Sequence, residues 1–277
     1  MAEKRSFKLE ATNLSAPEQQ RMTENLAHWE SQASAHGVDP DASWGDANAI
    51  ELEIRALIKY IEPGTQLLDA GCANGFTTFR MLERNPAAVH AFDFSERMVE
   101  AAKRAATTRD PESKIHFYHA NILEIPEPKD SVDLAYAVRV LINLPTWERQ
   151  QQAVAEMHRI LKPGGRYVLI EGFSGSMAKL NALRELAGLP AIQPPSFNLW
   201  IDEPKLEACV RERFEVEHID RFTSVYYVAT RFLRDLTLRG DEPPSYSSAL
   251  HDLARELPFT ARSGDFGGIK AYVLRKR

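Results

Sequence analysis

Short apolar runs and amphipathic segments alternate along most of this chain, starting near Asp46. Asp46 can cap a helix in which apolar residues recur at helical spacing as far as Ile61, and Pro63 with Gly64 ends that helix. Beyond that point, apolar runs of strand length take turns with helical patterns. This rhythm predicts a parallel sheet with helices on both faces.

The pattern places seven strands along the chain and connects most of them by helices. Ser95 can cap the helix after the second strand, Thr146 can cap the helix after the fourth, and the run LKPGG ends the latter. We predict strands at 66–69, 88–93, 115–120, 132–137, 166–171, 214–220 and 269–274. Helices are predicted at 75–84, from 95 onward, and at 146–161, 178–186 and 203–213. The fold class is therefore α/β, with a doubly wound, Rossmann-like sheet.

Three segments fall outside this alternation. Residues 1–46 are polar and precede the main domain, 47–277, as an N-terminal helical lid. Residues 173–200 are rich in Gly and Pro, and residues 221–268 are rich in aromatics and much longer than a hairpin connection needs. We predict that the last two are insertions that cover a substrate.

Composition excludes several classes of function. The net charge of −5 argues against nucleic acid as the main partner, because such binding needs a surplus of Lys and Arg. Cys72 and Cys209 are the only cysteines, and there is no HExxH pair, so we expect neither a disulfide framework nor a metal site. The charged start MAEKRSFKLE and the lack of a long apolar run predict a soluble cytoplasmic protein that makes no membrane contact.

The segment LLDAGCANGFTT carries the strongest chemical signal. An apolar strand ends at Asp69, and a turn from Gly71 to Gly75 leads into a helix. Glycine can adopt positive φ and lets a ligand approach the backbone closely, while the helix offers free N–H groups. Any tight strand-to-helix turn can contain two glycines, so this segment needs support from others.

Two further loops follow strands at the same predicted edge of the sheet. Asp93 ends the second strand, where a carboxylate can accept hydrogen bonds from both hydroxyls of a ribose, although an Asp can also simply start a helix. Asn121 and Ile122 follow the third strand and offer an amide and an apolar wall to a base. Together with the first turn, these residues favour a nucleoside-binding site.

These residues resemble the class I S-adenosylmethionine-dependent methyltransferase family over about residues 47–173, and LDAGCANG resembles its first cofactor motif. The resemblance implies a seven-stranded sheet whose last strand is antiparallel. It also implies that 69–75 hold the methionine part of S-adenosylmethionine, Asp93 the ribose, and Phe94, Met98, Asn121 and Ile122 the adenine. Asn121 departs from the acidic residue common in the family. The segment VRVLINLP, which Val138 opens, resembles small-molecule and sugar-modifying members.

Candidate cofactor contacts therefore comprise Asp69, Gly71, Cys72, Gly75, Asp93, Phe94, Met98, Asn121, Ile122 and Val138, with Trp44 placed near the methionine end by a closing lid. The candidate catalytic residues are Arg139 after strand four, Glu171 at the end of strand five and Tyr226 in the late insertion. Each has an ordinary alternative: Arg139 can pair with a carboxylate, Glu171 can cap a strand end, and Tyr226 can pack inside the cover.

The expected function is methyl transfer to oxygen or nitrogen of a small-molecule acceptor, such as a sugar or a secondary metabolite. One alternative is a protein that binds the methyl donor without catalysis and regulates a partner. Another is an NAD-dependent oxidoreductase, which would normally show GxGxxG at the first turn. The acceptor and the oligomeric state stay open at this point.

Overall fold

The computed structural model describes residues 14–238, 246, 248–258 and 263–277. Within these ranges one sheet holds seven strands: β1 (Gln66–Ala70), β2 (Ala88–Asp93), β3 (Ile115–His119), β4 (Val132–Val138), β5 (Leu161–Gly172), β6 (Phe214–Asp220) and β7 (Ile269–Lys276). Their order is β3-β2-β1-β4-β5-β7-β6. β7 is antiparallel to both β5 and β6, whereas the other pairs are parallel. The predicted sheet and its antiparallel last strand are confirmed.

The helices are α1 (Ala16–His36), α2 (Ala47–Ile58), α3 (Phe76–Met81), α4 (Glu96–Arg109), α5 (Trp147–Ile160), α6 (Ser174–Leu186), α7 (Glu203–Val210), α8 (Ser224–Tyr227), α9 (Arg234–Leu238) and α10 (Ala249–Glu256). A π-helical segment, Val228–Leu233, connects α8 to α9. Asp46, Ser95 and Thr146 cap α2, α4 and α5 through their side chains, as predicted. Each accepts a hydrogen bond from a backbone N–H of the first turn, which would otherwise lack a partner.

The two faces of the sheet bury separate cores because successive strand residues point to opposite sides. On β1, Leu67 packs into one core with Ile54 of α2, and Leu68 packs into the other with Val154 of α5. Both leucines are fully buried. Apolar residues at consecutive positions therefore mark a strand that is covered on both faces, and they hold the carboxyl ends of β1, β2 and β4 side by side.

Several predicted boundaries differ from the structure. The run LKPGG ends α5 at Ile160, but β5 already begins at Leu161, which pairs with Val132 before a register shift. The helix after β1 is short because it tightens to a 3-10 turn at Leu82–Arg84. Of the 221–268 insertion, residues 239–245, 247 and 259–262 lie outside the described residues, as do residues 1–13 of the lid. Among the helices described, none is long and apolar enough to cross a bilayer.

Candidate active site

The turn after β1 brings the chain close to two neighbouring strands. Gly71 has φ 82°, and the N–H groups of Gly71 and Cys72 both donate to the carbonyl oxygen of Phe92 on β2, at 2.8 and 2.9 Å. A Cβ at Gly71 would lie 2.3 Å from Cγ2 of Val140, which follows β4. Glycine is required here because no other side chain fits between the turn and the residues after β4.

Asp69 lies buried at the end of β1 beneath this turn. Its Oδ2 accepts hydrogen bonds from the Thr78 hydroxyl at 2.6 Å and the Tyr136 hydroxyl at 2.9 Å. Burial raises the pKa of Asp69 to about 7, although both hydrogen bonds oppose that shift. The carboxyl group therefore changes its charge near neutral pH.

Asp93 links the first turn to the start of α4. Its two carboxylate oxygens accept hydrogen bonds from the N–H groups of Ala73 and Ser95, both at 2.8 Å. Burial raises the pKa of Asp93, and these backbone hydrogen bonds partly offset the shift. Each oxygen keeps a lone pair, so the carboxylate can also accept two hydrogen bonds from a diol.

The loop after β3 closes the same edge of the sheet. Asn121 is buried, and its Oδ1 accepts a hydrogen bond from the N–H of Leu123 at 3.0 Å. The amide Nδ2 is left to face a ligand, and Ile122 beside it adds an apolar surface. Phe94 and Met98, on the chain that leaves β2, also line the cavity.

The turn after β4 is stabilised by Glu171 from β5. Its carboxylate accepts hydrogen bonds from the N–H groups of Val140, Leu141 and Ile142, at 2.9, 2.7 and 3.3 Å. Burial raises the pKa of Glu171 to about 8 despite these three hydrogen bonds. The side chain therefore orients a turn and is directed away from the cavity.

Arg139 begins the same turn with φ 55° and is already engaged. Its guanidinium donates to both oxygens of the buried Glu53 on α2, at 2.9 and 3.3 Å, and its Cζ atom lies 4.8 Å from the centre of the Trp44 ring. Burial raises the pKa of Glu53, and the charge of Arg139 opposes that rise. The ion pair attaches the N-terminal segment and α2 to the turn after β4.

α1 crosses the open edge of the sheet above these residues. Near its start, Arg149 of α5 donates to Glu18 at 2.8 Å, and Arg21 donates to the carbonyl oxygen of Pro145 at 3.0 Å. Near its end, Glu30 accepts a hydrogen bond from the Ser95 hydroxyl at 2.5 Å. The helix thus extends from the residues after β4 to the residues after β2 and covers this edge of the sheet.

These elements enclose a cavity of about 1100 Å³, a value that includes the part open to solvent. Ten predicted residues line it: Asp69, Gly71, Cys72, Asp93, Phe94, Met98, Asn121, Ile122, Val138 and Arg139. Sequence reasoning missed Met22, Leu26 and Trp29 of α1, which also line it. Their spacing of four and three residues is the helical signal that could have identified them.

Four predicted site residues are not on the cavity wall. Gly75 faces the core, where an added Cβ would lie 2.9 Å from Phe117, and Trp44 stacks on Arg139 outside the cavity. The carboxylate of Glu171 accepts hydrogen bonds from the turn after β4, and the hydroxyl of Tyr226 donates to Asp46 at 2.6 Å. Neither residue lines the cavity, so their catalytic roles stay predictions.

The histidines of the covering segments, whose imidazoles could act as bases, also lie away from the cavity wall. His28 packs against Phe197, with ring centres 4.8 Å apart, and His251 is buried against Tyr226. His36 is exposed at the end of α1. No histidine is found among the described residues that line the cavity, and no described group of three His, Cys, Asp or Glu side chains is placed to hold a metal ion.

Comparison with known proteins identifies a domain within the chain. Residues 67–165, which run from β1 into β5, match the family model described as a methyltransferase domain. This part of the chain is similar to class I S-adenosylmethionine-dependent methyltransferases, and the cofactor that the match indicates is S-adenosylmethionine. The turn after β1, Asp93 and Asn121 place backbone N–H groups, a carboxylate and an amide around one cavity.

The matched relatives act on small molecules. 27-O-demethylrifamycin SV methyltransferase of Amycolatopsis mediterranei is 33% identical over 132 residues, 46% of this chain and 47% of that protein. Demethylmenaquinone methyltransferase of Lysinibacillus sphaericus is 31% identical over 113 residues, 40% of this chain and 46% of that protein. The matched part of this chain thus spans about half the length of the curated relatives.

Solved structures support the fold over more of the chain. The cyclase SpnF has a TM-score of 0.59 at 21% identity and covers 94% of this chain and 96% of its own. Phosphoethanolamine N-methyltransferase 1 of Haemonchus contortus, in complex with S-adenosylhomocysteine, has a TM-score of 0.63 at 13% identity. The match covers 94% of this chain and 49% of that one.

Proposed function

We propose that the protein transfers the methyl group of S-adenosylmethionine to an oxygen or nitrogen atom of a small-molecule acceptor. One observation carries this proposal. A single cavity is lined by the turn after β1, by Asp93 and by α1, which covers it. The acceptor would bind in the same cavity as the cofactor, where α1 can exclude water from both. Oxygen is favoured because the relatives include the 27-O-demethylrifamycin SV enzyme and an O-methyltransferase of Penicillium expansum.

The residues of this chain would act mainly by binding and orientation. When bound, S-adenosylmethionine supplies an electrophilic methyl group on its sulfonium. The turn after β1 and Asp93 would hold S-adenosylmethionine. The apolar residues of α1 would pack against the acceptor on the opposite side. Positioning of two reactants in this way can account for much of the rate of a displacement. Among the described lining residues there is no histidine, and the carboxyl groups there are those of Asp69 and Asp93.

A protein that binds S-adenosylmethionine without transferring its methyl group is the second candidate. It is favoured by one observation, namely that SpnF, a cyclase, aligns with nearly the whole chain. An NAD-dependent oxidoreductase is less favoured, because Gly71 and Gly75 do not make the GxGxxG turn that holds a pyrophosphate.

Two measurements test the proposal. Calorimetry with S-adenosylhomocysteine and with NAD should show saturable binding of the first only. Incubation with S-adenosylmethionine labelled at the methyl group should then transfer label to one or more members of a panel of hydroxylated and aminated metabolites. Binding without transfer to any acceptor would favour the second candidate. A folded protein that binds neither nucleoside would show that both candidates are wrong.

A further inference from the structure

Two amide oxygens at the cavity lack hydrogen-bond partners. Oδ1 of Asn25 on α1 and Oδ1 of Asn143 after β4 are both buried, and neither has a donor among the described residues. Asn25 is only 6% exposed, and both side chains line the cavity. A buried acceptor without a donor is unfavourable, so a ligand that brings N–H or O–H groups would be stabilised there.

The orientation of both amides is determined by their Nδ2 atoms. Nδ2 of Asn25 donates to the carbonyl oxygen of Asn143 at 2.6 Å, and Nδ2 of Asn143 donates to the carbonyl oxygen of Arg139 at 2.7 Å. A flipped amide would bring two oxygens together in each case. The oxygens are therefore the atoms left for a ligand, and the site has two acceptors held by the backbone.

The sheet order separates these amides from the nucleoside half of the cavity. At the carboxyl edge, Asn121 follows β3, Asp93 ends β2 and Asp69 lies at the end of β1, whereas Asn143 lies on the far side, after β4. Asn25 is on the same side, because the start of α1 is held by Pro145 and Arg149. The two amides thus lie on the β4 side of the cavity.

The surroundings of the two amides are apolar. Met22 and Leu26 of α1 and Val140 and Leu144 after β4 line this half of the cavity. The one charged residue among the described lining residues on this side is Arg139, and its guanidinium is paired with Glu53. A charged molecule would lose its hydration here without finding a free opposite charge, whereas a neutral apolar molecule would not.

We propose that Asn25 and Asn143 form an acceptor subsite, which binds a neutral, largely apolar molecule by accepting hydrogen bonds from its hydroxyl or N–H groups. This inference rests on the proposed function and makes it more specific. It assigns substrate selection to α1 and the turn after β4. The hydroxyl or N–H groups by which the substrate binds there would determine which of its atoms lies next to the methyl group.

The test uses the full chain saturated with S-adenosylhomocysteine. A panel of neutral naphthols, hydroxylated macrolactones and their deoxy or O-methylated analogues, with carboxylated and aminated counterparts, is titrated by calorimetry. We expect a neutral hydroxylated compound to bind and its analogue without the hydroxyl to bind about ten- to a hundredfold more weakly. In Asn25→Leu and Asn143→Leu this discrimination should shrink toward unity. Thr23→Leu, on the exposed face of α1, should retain it.

Three results would overturn the proposal: discrimination that persists in both variants, binding confined to charged compounds, or equal binding of a compound and its deoxy analogue. A loss of S-adenosylhomocysteine affinity in both variants, with Thr23→Leu unaffected, would assign the amides to the cofactor instead. Far-UV circular dichroism of each variant reports folding independently of ligand binding, so a variant that has unfolded is recognised. Selective binding of a hydroxylated compound without methyl transfer would contradict the proposed function and leave the subsite supported.

Discussion

The hydroxyl of Tyr136 donates a hydrogen bond of 2.9 Å to Oδ2 of Asp69, its direct register partner on the neighbouring parallel strand. The Thr78 hydroxyl donates to the same oxygen at 2.6 Å. A carboxyl group at the cavity floor is thereby held by two neutral donors and by no cation. Burial raises the pKa of Asp69, and the two hydrogen bonds only partly oppose that rise, so the pKa lies near 7.

Tyr136→Phe should lower the free energy of unfolding by about 1–3 kcal/mol, with the larger loss at high pH. Burial raises the pKa of Asp69 from 3.8 to about 7, so its contribution to stability falls as pH rises through that window. Loss of the Tyr136 donor should raise that pKa further and extend the decline above pH 7. Urea unfolding at pH 6 and pH 8 measures the difference.

The matched control for this change is Tyr167→Phe. Tyr167 is equally buried on the adjacent β5, but its hydroxyl has no partner among the described residues. We expect this variant to be at least as stable as the original protein at both pH values. Equal losses in the two variants would show that the hydrogen bond to Asp69 is not the cause.

Glu171→Gln should flatten the dependence of stability on pH. The pKa of Glu171 is raised from 4.5 to about 8, so the original protein should lose up to about 1.4 kcal/mol per pH unit as pH rises between these values. Glutamine stays neutral and can still accept from Val140 and Leu141 through its oxygen. The variant should therefore be the more stable protein at pH 8.5, measured by denaturant unfolding.

The same variant tests the catalytic role expected from the sequence. With its carboxylate occupied by three backbone N–H groups, Glu171 should be dispensable for proton transfer, and Glu171→Gln should keep methyl transfer within about tenfold. Glu62→Gln, on the surface, serves as the control for stability. A loss of a thousandfold in kcat with unchanged KM would restore Glu171 as a base.

Asp93→Ala should weaken S-adenosylhomocysteine binding by about ten- to a hundredfold, because a ribose would lose two hydrogen bonds to a carboxylate. Asp93 also holds the N–H groups of Ala73 and Ser95, so part of the loss would come from a looser turn. Calorimetry gives the dissociation constant, and Glu96→Ala, exposed on the first turn of α4, provides the reference. Unchanged affinity in folded Asp93→Ala would remove this contact from the proposed site.

Gly71→Ala should be far more harmful than Gly64→Ala, although both glycines have φ near 80°. An added Cβ meets nothing within 4 Å at Gly64, so only backbone strain of about 1–2 kcal/mol is expected. At Gly71 the same atom would overlap Val140. Thermal unfolding compares the variants, and Val140→Ala in the Gly71→Ala background should recover part of the loss. Equal effects at both positions would exclude the steric cause.

The alternation of apolar runs and amphipathic segments was sufficient to predict the sheet. It was also sufficient to predict many of the residues that line the cavity at the ends of β1, β2 and β3. β2 and β6 have the predicted bounds, because apolar runs between turn residues are local signals. Asp93 and Asn121 could also be placed, since the carboxyl ends of parallel strands meet at one edge. Boundaries were less certain: LKPGG ends a helix by local preference, but pairing with β4 makes Leu161 the start of β5.

By itself, then, the sequence determined the fold class, the number of strands and the residues along the edge of the sheet, because these follow from neighbours in the chain. Only the tertiary structure decided which side chains remain available. Glu171 and Tyr226 are hydrogen-bonded to partners that are distant in sequence. Asn25 and Asn143 are 118 residues apart and come into contact because α1 packs over the turn after β4. Burial and hydrogen bonding depend on such distant contacts, which local patterns do not encode.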